Sequence, residues 1–223
     1  MIQLFYLEMN CRYDPDAVEC FLPLLPERRI EQIKSMRSDP DRKILLYSDV
    51  LLRSLLCERL SLRNQDLAFF RNAYGKPVLR NKPSLFFSLS HTRNAIAVAL
   101  SDRNVGVDTE RAGRADKDAA RKAFTDHEYN HVFCGDRDPD TRFFELWTRK
   151  EAYLKWLGTG WALTLPDPGI LTPDISGMLR TIRRGDYFVS ACSERADEIE
   201  DILVVKEDSF LENAFRREAN IYG

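Results

Sequence analysis

The stretch FFELWTRKEAYLKWLG, Phe143–Gly158, combines an apolar helical face with two lysines and a glutamate between two tryptophans. At about 100° per residue, Trp147, Glu151 and Lys155 lie on one side of the predicted helix. Gly158 predicts the end of this helix, because glycine readily takes the left-handed conformation. Glu151 and Lys155 form either a surface ion pair worth about 0.3–0.5 kcal/mol or part of a site for a metal and phosphates. The helix alone favours the ion pair.

The composition is that of a folded protein without a general affinity for polyanions. The 223 residues are 44% hydrophobic and 30% charged, which suffices for one sizeable core or two small ones. The net charge of −2 gives no reason to expect nucleic acid or an anionic membrane surface as a partner. The five cysteines lack any CxxC, and the start MIQLFYLEMN has neither a basic region nor an uncharged apolar run. We therefore expect reduced thiols, no membrane span and a cytoplasmic protein.

Strand-like and helix-like segments alternate along the chain. Residues 2–9 predict a strand, and residues 39–62 predict a long amphipathic helix that begins at an Asp-Pro pair. Three β-prone runs follow and are expected as antiparallel strands: residues 84–91, 94–101 and 104–110. The second half is expected to repeat this order, with helices at 115–134 and 140–157 and strands at 178–184, 186–194 and 201–208.

A helix followed by a three-stranded antiparallel meander thus occurs twice. This repetition predicts an α+β fold of two similar halves, a pseudo-dimer within one chain, with the division between residues 1–111 and 112–223. A cleft between two such halves is a common place for a ligand. We therefore expect the active site there.

Two carboxylates are placed as metal ligands would be. Asp108 and Glu110 are two residues apart in the β-prone sequence VGVDTE, so both side chains leave the same face of a strand. A cation would relieve their repulsion, and oxygen ligands without a nearby histidine favour Mg²⁺ over Zn²⁺. A solvated strand end facing Arg111 or Arg114 explains the pair equally well.

Phosphate contacts are suggested at two turns. His91 follows Ser90 at the end of the run LFFSLSH, where an imidazole could donate to phosphate oxygens. Lys76 lies in the turn sequence YGKP, but no GxxxxG precedes it and Pro77 follows it. The sequence therefore excludes a P-loop for nucleoside triphosphates.

A second metal motif supports a different function. His127, Glu128 and His131 match HExxH, and Glu151 lies at a distance compatible with a third zinc ligand. A zinc peptidase is therefore an alternative. The residues around the motif favour instead an ordinary helix start, with Glu128 in the first turn.

Taken together, five motifs resemble the surfactin-synthetase-type 4′-phosphopantetheinyl transferases. They span most of the chain: YGKP (74–77), FFSLSHT (86–92), VGVDTE (105–110), FTDHEY (124–129) and FELWTRKEAYLKWLG (144–158). The specific part is the combination of GVDxE with a later WxxKEAxxKxxG. Members of this type resemble two fused copies of a half-length subunit, which accounts for the repetition.

The resemblance implies transfer of the phosphopantetheine arm of coenzyme A to a serine of an acyl or peptidyl carrier protein, with release of 3′,5′-adenosine bisphosphate. It implies a magnesium site that also meets the coenzyme A pyrophosphate: Asp108, Glu110 and Glu151. It implies contacts of Arg28 and Arg42 with the 3′-phosphate of coenzyme A, and of Lys76 and Pro77 with its adenine. It also implies that Ser90 anchors the nucleotide and that His91 and Lys155 contact the phosphate oxygens. The implied catalytic residues are Glu151, Lys150, Lys155 and His91. Glu151 and a metal-bound water are both candidates for the base.

Three residues depart from the family pattern. Ser88 replaces a common asparagine, Glu31 replaces a phosphate-binding lysine, and Thr159 replaces the lysine of a frequent GKG. Weaker coenzyme A binding, or compensation by a nearby Lys34 or Arg37, is favoured over loss of activity. A relative that only binds coenzyme A or a carrier stays an alternative. We expect a monomeric, Mg²⁺-dependent transferase, whose carrier the sequence does not identify.

Overall fold

The computed structural model describes residues 1–10, 15–80, 82, 84–136, 138–162 and 169–210. Its first part contains these elements: β1 (Ile2–Glu8), α1 (Pro15–Phe21), α2 (Glu27–Ser35), α3 (Asp39–Leu60), β2 (Phe69–Arg71), β3 (Pro77–Leu79), β4 (Phe86–Thr92) and β5 (Ala95–Ser101). Its second part contains these: β6 (Gly106–Arg111), α4 (Lys117–Ala123), α5 (Asp126–Phe133), α6 (Pro139–Leu157), α7 (Pro173–Ser176), β7 (Leu179–Arg184), β8 (Tyr187–Cys192) and β9 (Ile199–Val205). The α+β fold of two halves with antiparallel sheets is confirmed.

The two long helices have well-defined ends. The Ser38 hydroxyl accepts the Asp41 N–H at the start of α3, and the Asp138 carboxylate caps the start of α6. Gly158 ends α6 in the left-handed conformation, with φ of 72°, as its position in the sequence predicts. The helix expected at 115–134 is instead two helices. A capping box starts α5 at Thr125, so the chain leaves helical geometry just before it.

Each half exchanges its third strand with the other. The larger sheet has the order β4-β5-β1-β9, and the smaller has the order β6-β8-β7. Strand β6 therefore pairs with β8 rather than with β5, and β9 leaves β8 to lie parallel to β1. The sheet hydrogen bonds do not follow the predicted division between residues 111 and 112, because β6 belongs to the second sheet and β9 to the first.

The sheets and helices form layers around three apolar clusters. Helix α3 packs on one face of the larger sheet, where its Leu46 and Val50 join Phe87 of β4 in one cluster. The opposite face of that sheet shares a second cluster with the smaller sheet. Helix α6 covers the outer face of the smaller sheet with the third cluster. The ends of β4 and β6 are thus held between the two long helices.

None of the helices in the described part of the chain is both long and apolar enough to cross a bilayer. Four cysteines, Cys20, Cys57, Cys134 and Cys192, carry free thiols, and Cys11 lies outside the described residues.

Helix α6 approaches β6 closely at Gly106. A Cβ atom on this residue would lie 2.0 Å from the Ala152 carbonyl oxygen and 2.5 Å from the Trp156 nitrogen, both of the α6 backbone. Backbone atoms cannot move aside as the end of a flexible side chain can. Any side chain at position 106 would therefore push the helix away from the strand.

We expect Gly106→Ala to lower the free energy of unfolding by about 3 kcal/mol, because it overfills this contact. Urea denaturation measures the change. Gly185→Ala is the matched control, since its Cβ would meet nothing within 4 Å and only its φ of 56° causes strain. The control should lose about 1 kcal/mol. Equal losses in the two variants would contradict the close approach of α6.

Candidate active site

Asp108 and Lys155 form the centre of the site. The Asp108 carboxylate is 3% exposed, and its Oδ1 accepts hydrogen bonds from the Ser90 hydroxyl and the Lys155 ammonium, each at 2.7 Å. The Lys155 ammonium also donates to the Ser90 hydroxyl at 2.8 Å. The second oxygen, Oδ2, is buried and accepts no hydrogen bond from the part of the chain that the structure describes. A buried, unpartnered carboxylate oxygen is costly unless a cation meets it.

Two more carboxylates share the electrostatic environment of Asp108. The Glu110 Oε2 accepts a hydrogen bond from the Thr92 hydroxyl at 3.0 Å, and burial together with the Asp108 charge raises the Glu110 pKa to about 7. The Glu151 Oε1 accepts from the Trp161 indole at 2.8 Å, and burial and then Asp108 raise the Glu151 pKa. The Asp108 charge thus acts on both of the other predicted metal ligands, Glu110 on the same strand and Glu151 on α6.

These carboxylates fit a hard divalent cation. Within the described ranges, no three histidine, cysteine, aspartate or glutamate side chains form a ready-made metal site. The Asp108 Oδ2 nevertheless offers a free ligand. Burial and then repulsion by Asp108 raise both glutamate pKa values, and a cation would relieve the repulsion. The donor set of oxygens alone suits Mg²⁺.

His91 lies beside this group at the end of β4. Its imidazole reaches solvent, yet the protein packed around it lowers its pKa, as do the charges of Lys155 and then Arg29. Each of these cations is paired with a carboxylate, Lys155 with Asp108 and Arg29 with Asp49, and both carboxylates act on the His91 pKa in the opposite direction.

An arginine-lined cavity of about 590 Å³ lies between α2, α3 and the strands β2, β3 and β4. Four guanidinium groups and several apolar side chains line it: Arg28, Arg29, Arg53, Arg71, Pro26, Leu52, Phe69, Phe70, Pro77 and Leu89. Arg29 is paired with Asp49, and Arg53 lies over the Phe69 ring at 5.1 Å. The predicted residues Arg28 and Pro77 are therefore at a cavity with the polarity of a nucleotide site. Sequence reasoning did not find Arg29, Arg53 or Arg71, which match no motif.

Two other predicted residues make internal contacts. The Lys76 ammonium donates to Asn104 at 2.9 Å and to the Val105 carbonyl at 3.2 Å, and burial lowers its pKa to about 8. Arg42 donates to the Met36 carbonyl and pairs with Asp39 on its own helix. Neither residue lines the cavity, so the structure does not bring them to Arg28.

Lys150 is not among the side chains gathered around Asp108. It is 3% exposed and forms an ion pair with Glu128, which is fully buried, at 2.5 Å. Glu128 also accepts the backbone N–H groups of Thr125 and Ile170. This pair joins α5, α6 and the segment after residue 168. Lys150 thus supports α6 from the side that faces away from the carboxylates.

The same pair explains the HExxH motif. Glu128 is the inward-facing capping residue of α5, whereas His127 and His131 are exposed. A zinc site would need all of these side chains on one face with the glutamate free to act as a base. The motif therefore results from a helix cap, and the peptidase interpretation is not favoured.

Thr92 and Trp161 are site residues that sequence reasoning missed. Thr92 is two residues beyond Ser90 on β4, so strand alternation could have placed it on the same side. Trp161 lies in a short turn after α6, and no sequence pattern indicates its bond to Glu151. Ser88, two residues before Ser90, accepts the Val107 N–H and so ties β4 to β6.

Comparison with known proteins assigns the family. A model of the 4′-phosphopantetheinyl transferase N-terminal region matches residues 14–103, and one of the 4′-phosphopantetheinyl transferase superfamily matches residues 104–205. The chain belongs to the 4′-phosphopantetheinyl transferase superfamily. The two models meet in the turn between β5 and β6, where the chain passes from the larger sheet to the smaller.

Curated relatives of the transferase are similar at moderate identity. The 4′-phosphopantetheinyl transferase Sfp of Bacillus subtilis (strain 168) is 26% identical over 165 residues, 74% of this chain and 74% of the relative. The transferase ffp of Bacillus subtilis is 23% identical over 94% of this chain and 100% of its own length. The L-aminoadipate-semialdehyde dehydrogenase-phosphopantetheinyl transferase of Saccharomyces cerevisiae is 32% identical over 65% of this chain and 56% of that protein.

The buried pair allows the role of Lys150 to be tested. We expect Lys150→Met to lower the free energy of unfolding by about 3–5 kcal/mol, because it leaves the Glu128 charge buried without a partner. The double variant Lys150→Met/Glu128→Gln should recover part of this loss, and a double-mutant cycle by urea denaturation measures the coupling.

A catalytic role for Lys150 predicts a different outcome. If its ammonium took part in the reaction, the double variant would stay inactive even where it is fully folded. We expect instead that activity per folded molecule recovers with stability. Low activity in a stable double variant would contradict the structural role.

Proposed function

We propose that the chain transfers the 4′-phosphopantetheine arm of coenzyme A to a serine hydroxyl of an acyl or peptidyl carrier protein, with Mg²⁺ held by Asp108, Glu110 and Glu151. The observation that carries this proposal is the Asp108 carboxylate, with Lys155 on one oxygen and no partner on the other. Such a centre can hold a cation and a phosphate oxygen side by side. It lies where β4, β6 and α6 meet.

Phosphoryl transfer requires positioning and positive charge more than covalent help from the protein. Bound Mg²⁺ neutralises charge that develops on the pyrophosphate oxygens. Lys155 is part-exposed, so its ammonium can turn from Asp108 toward a ligand and donate to those oxygens. We assign His91 a further donor role, which the effect of the Lys155 charge on its pKa supports. These groups stabilise the transition state by fixed charges and donors.

The proposed reaction forms one bond and breaks one bond at phosphorus. The serine oxygen forms a bond to the phosphorus that carries pantetheine, and the bond from that phosphorus to 3′,5′-adenosine bisphosphate breaks. The serine proton passes to Glu151 or to a water molecule beside it, the two candidate bases. Lys150 is enclosed with Glu128, and we assign it no contact with the leaving group.

We propose that the nucleotide end of coenzyme A occupies the arginine-lined cavity. Its apolar residues suit the adenine ring, and Arg28 has a guanidinium available for the 3′-phosphate. Arg29 lines the cavity and also acts on His91, which supports continuity between the cavity and the carboxylate group. Arg42 and Lys76 contact protein groups around them, and we assign neither residue a contact with coenzyme A.

The proposal extends to a monomer that acts in the cytoplasm on a carrier protein, without nucleic acid. One chain supplies both sides of the site, since β4 belongs to its larger sheet and β6 to its smaller sheet. A relative that only binds coenzyme A or a carrier would show binding without turnover.

Transfer is tested with a panel of apo carrier proteins, coenzyme A and Mg²⁺, followed by intact-mass spectrometry. We expect one phosphopantetheine group to be added to at least one carrier. Treatment with EDTA should abolish transfer, and added Mg²⁺ should restore it, because three neighbouring carboxylates bind phosphates poorly without a divalent cation. Folded enzyme that modifies no carrier in the panel would overturn the proposal.

Two variants make this assay specific. Asp108→Asn keeps the shape of the side chain and should reduce transfer at least about 100-fold, as loss of a central charge at a phosphoryl-transfer site does. His131→Ala removes an exposed histidine that a zinc peptidase would need and should leave transfer unchanged. Zinc bound in stoichiometric amount and lost in His131→Ala would support the peptidase instead.

The cavity is tested by comparing coenzyme A with dephospho-coenzyme A, which lacks the 3′-phosphate. We expect Arg28→Ala to raise the KM for coenzyme A about 10-fold, the effect of losing one charge-assisted hydrogen bond. With dephospho-coenzyme A, wild type and Arg28→Ala should have similar KM values. Arg42→Ala is the matched control and should change neither KM. An equal effect of Arg28→Ala on both substrates would contradict the contact with the 3′-phosphate.

A further inference from the structure

The three carboxylates of the site share one pattern of hydrogen bonding. Each has one oxygen held by a donor: Asp108 by Ser90 and Lys155, Glu110 by Thr92, and Glu151 by Trp161. Each second oxygen accepts no hydrogen bond from the residues that the structure describes, and that of Asp108 is buried as well. Every carboxylate is therefore oriented through one oxygen and open at the other.

We propose that Thr92 and Trp161 are positioning residues for the metal site. Each donates to one oxygen of an outer carboxylate, limits the rotation of that carboxylate, and leaves its second oxygen available to the cation. The inference rests on the proposed function, and neither residue is among the predicted site residues. Hydrogen bonds from outer residues commonly orient metal ligands in this way.

Thr92 is well placed for this role. It extends the alternation of Ser88 and Ser90 along β4, and its half-buried hydroxyl donates to Glu110 at 3.0 Å. A β-branched side chain has few accessible rotamers, so the direction of its hydroxyl is well fixed. Ser88, on the same strand, instead accepts a backbone N–H and contacts no carboxylate. The same chemical group thus has a structural use at one position and a ligand-facing use at another.

Trp161 is held by its ring rather than by burial. Its side chain is 47% exposed, but its ring lies 5.7 Å from that of Trp147, which in turn stacks on Phe143 at 5.4 Å. This row of rings directs the indole N–H at Glu151. An indole nitrogen is a donor only, so it can orient the carboxylate without competing for the metal.

The test measures Mg²⁺ binding by titration calorimetry on the full chain with coenzyme A present, together with the melting temperature. Thr92→Val removes the hydroxyl at nearly constant shape and should weaken Mg²⁺ binding about 10-fold, whereas Thr92→Ser should restore it. Trp161→Phe keeps an aromatic ring but loses the indole N–H donor. It should weaken Mg²⁺ binding by a smaller factor than Thr92→Val does, because the hydrogen bond that it removes is exposed.

Ser88→Ala is the matched control. It should lower the melting temperature through loss of the bond to β6 and leave Mg²⁺ affinity within about twofold, since no carboxylate depends on it. Thr92→Val with wild-type Mg²⁺ affinity, or Thr92→Ser without restoration, would overturn the role of Thr92. Trp161→Phe with unchanged affinity would overturn that of Trp161. If wild type neither binds Mg²⁺ nor modifies a carrier, the proposed function itself fails; if it does both, only the positioning role is at stake.

Discussion

The close contact between α6 and β6 at Gly106 determines the geometry of the site. The backbone of Ala152 and Trp156 lies directly over this glycine, and the residues next to them in the sequence, Glu151 and Lys155, are those that extend toward Asp108. Gly106 precedes Asp108 by two residues on the strand. The absence of a side chain at one position therefore allows an ammonium on a helix to reach a carboxylate on a strand at 2.7 Å.

Much of this arrangement could be predicted from local sequence. Capping residues and glycine fix the ends of α3 and α6, and strand alternation places Asp108 and Glu110 on one face, because both effects act over a few residues. The exchange of β6 and β9 between the sheets could not be predicted. Strand partners are chosen by tertiary packing, and the apolar patterns of these strands suit either partner.

The surroundings of Lys150 support a structural role rather than the catalytic role that the resemblance implies. Adjacent helix residues, such as Lys150 and Glu151, point about 100° apart. Glu151 and Lys155 are four residues apart and lie on one face of the helix. Lys150 turns into the layer beneath α6, where Glu128 neutralises it. Glu128 is at once the middle of an HExxH pattern and the last residue of the capping box that begins at Thr125. A short motif of charged residues at a helix start therefore has a structural explanation that must be tested before a catalytic one.

The charges of the site account for the proposed metal requirement. Three carboxylates face one ammonium from Lys155, and the surroundings of His91 keep its pKa low, so the region is negative near neutral pH. A pyrophosphate that approached it would meet repulsion that one lysine cannot offset. The arginines line the separate cavity and not the carboxylate group. Under the proposed function, the protein therefore separates two tasks: the guanidinium groups of the cavity bind the nucleotide end of the substrate, and the carboxylate group holds a cation at the reacting end.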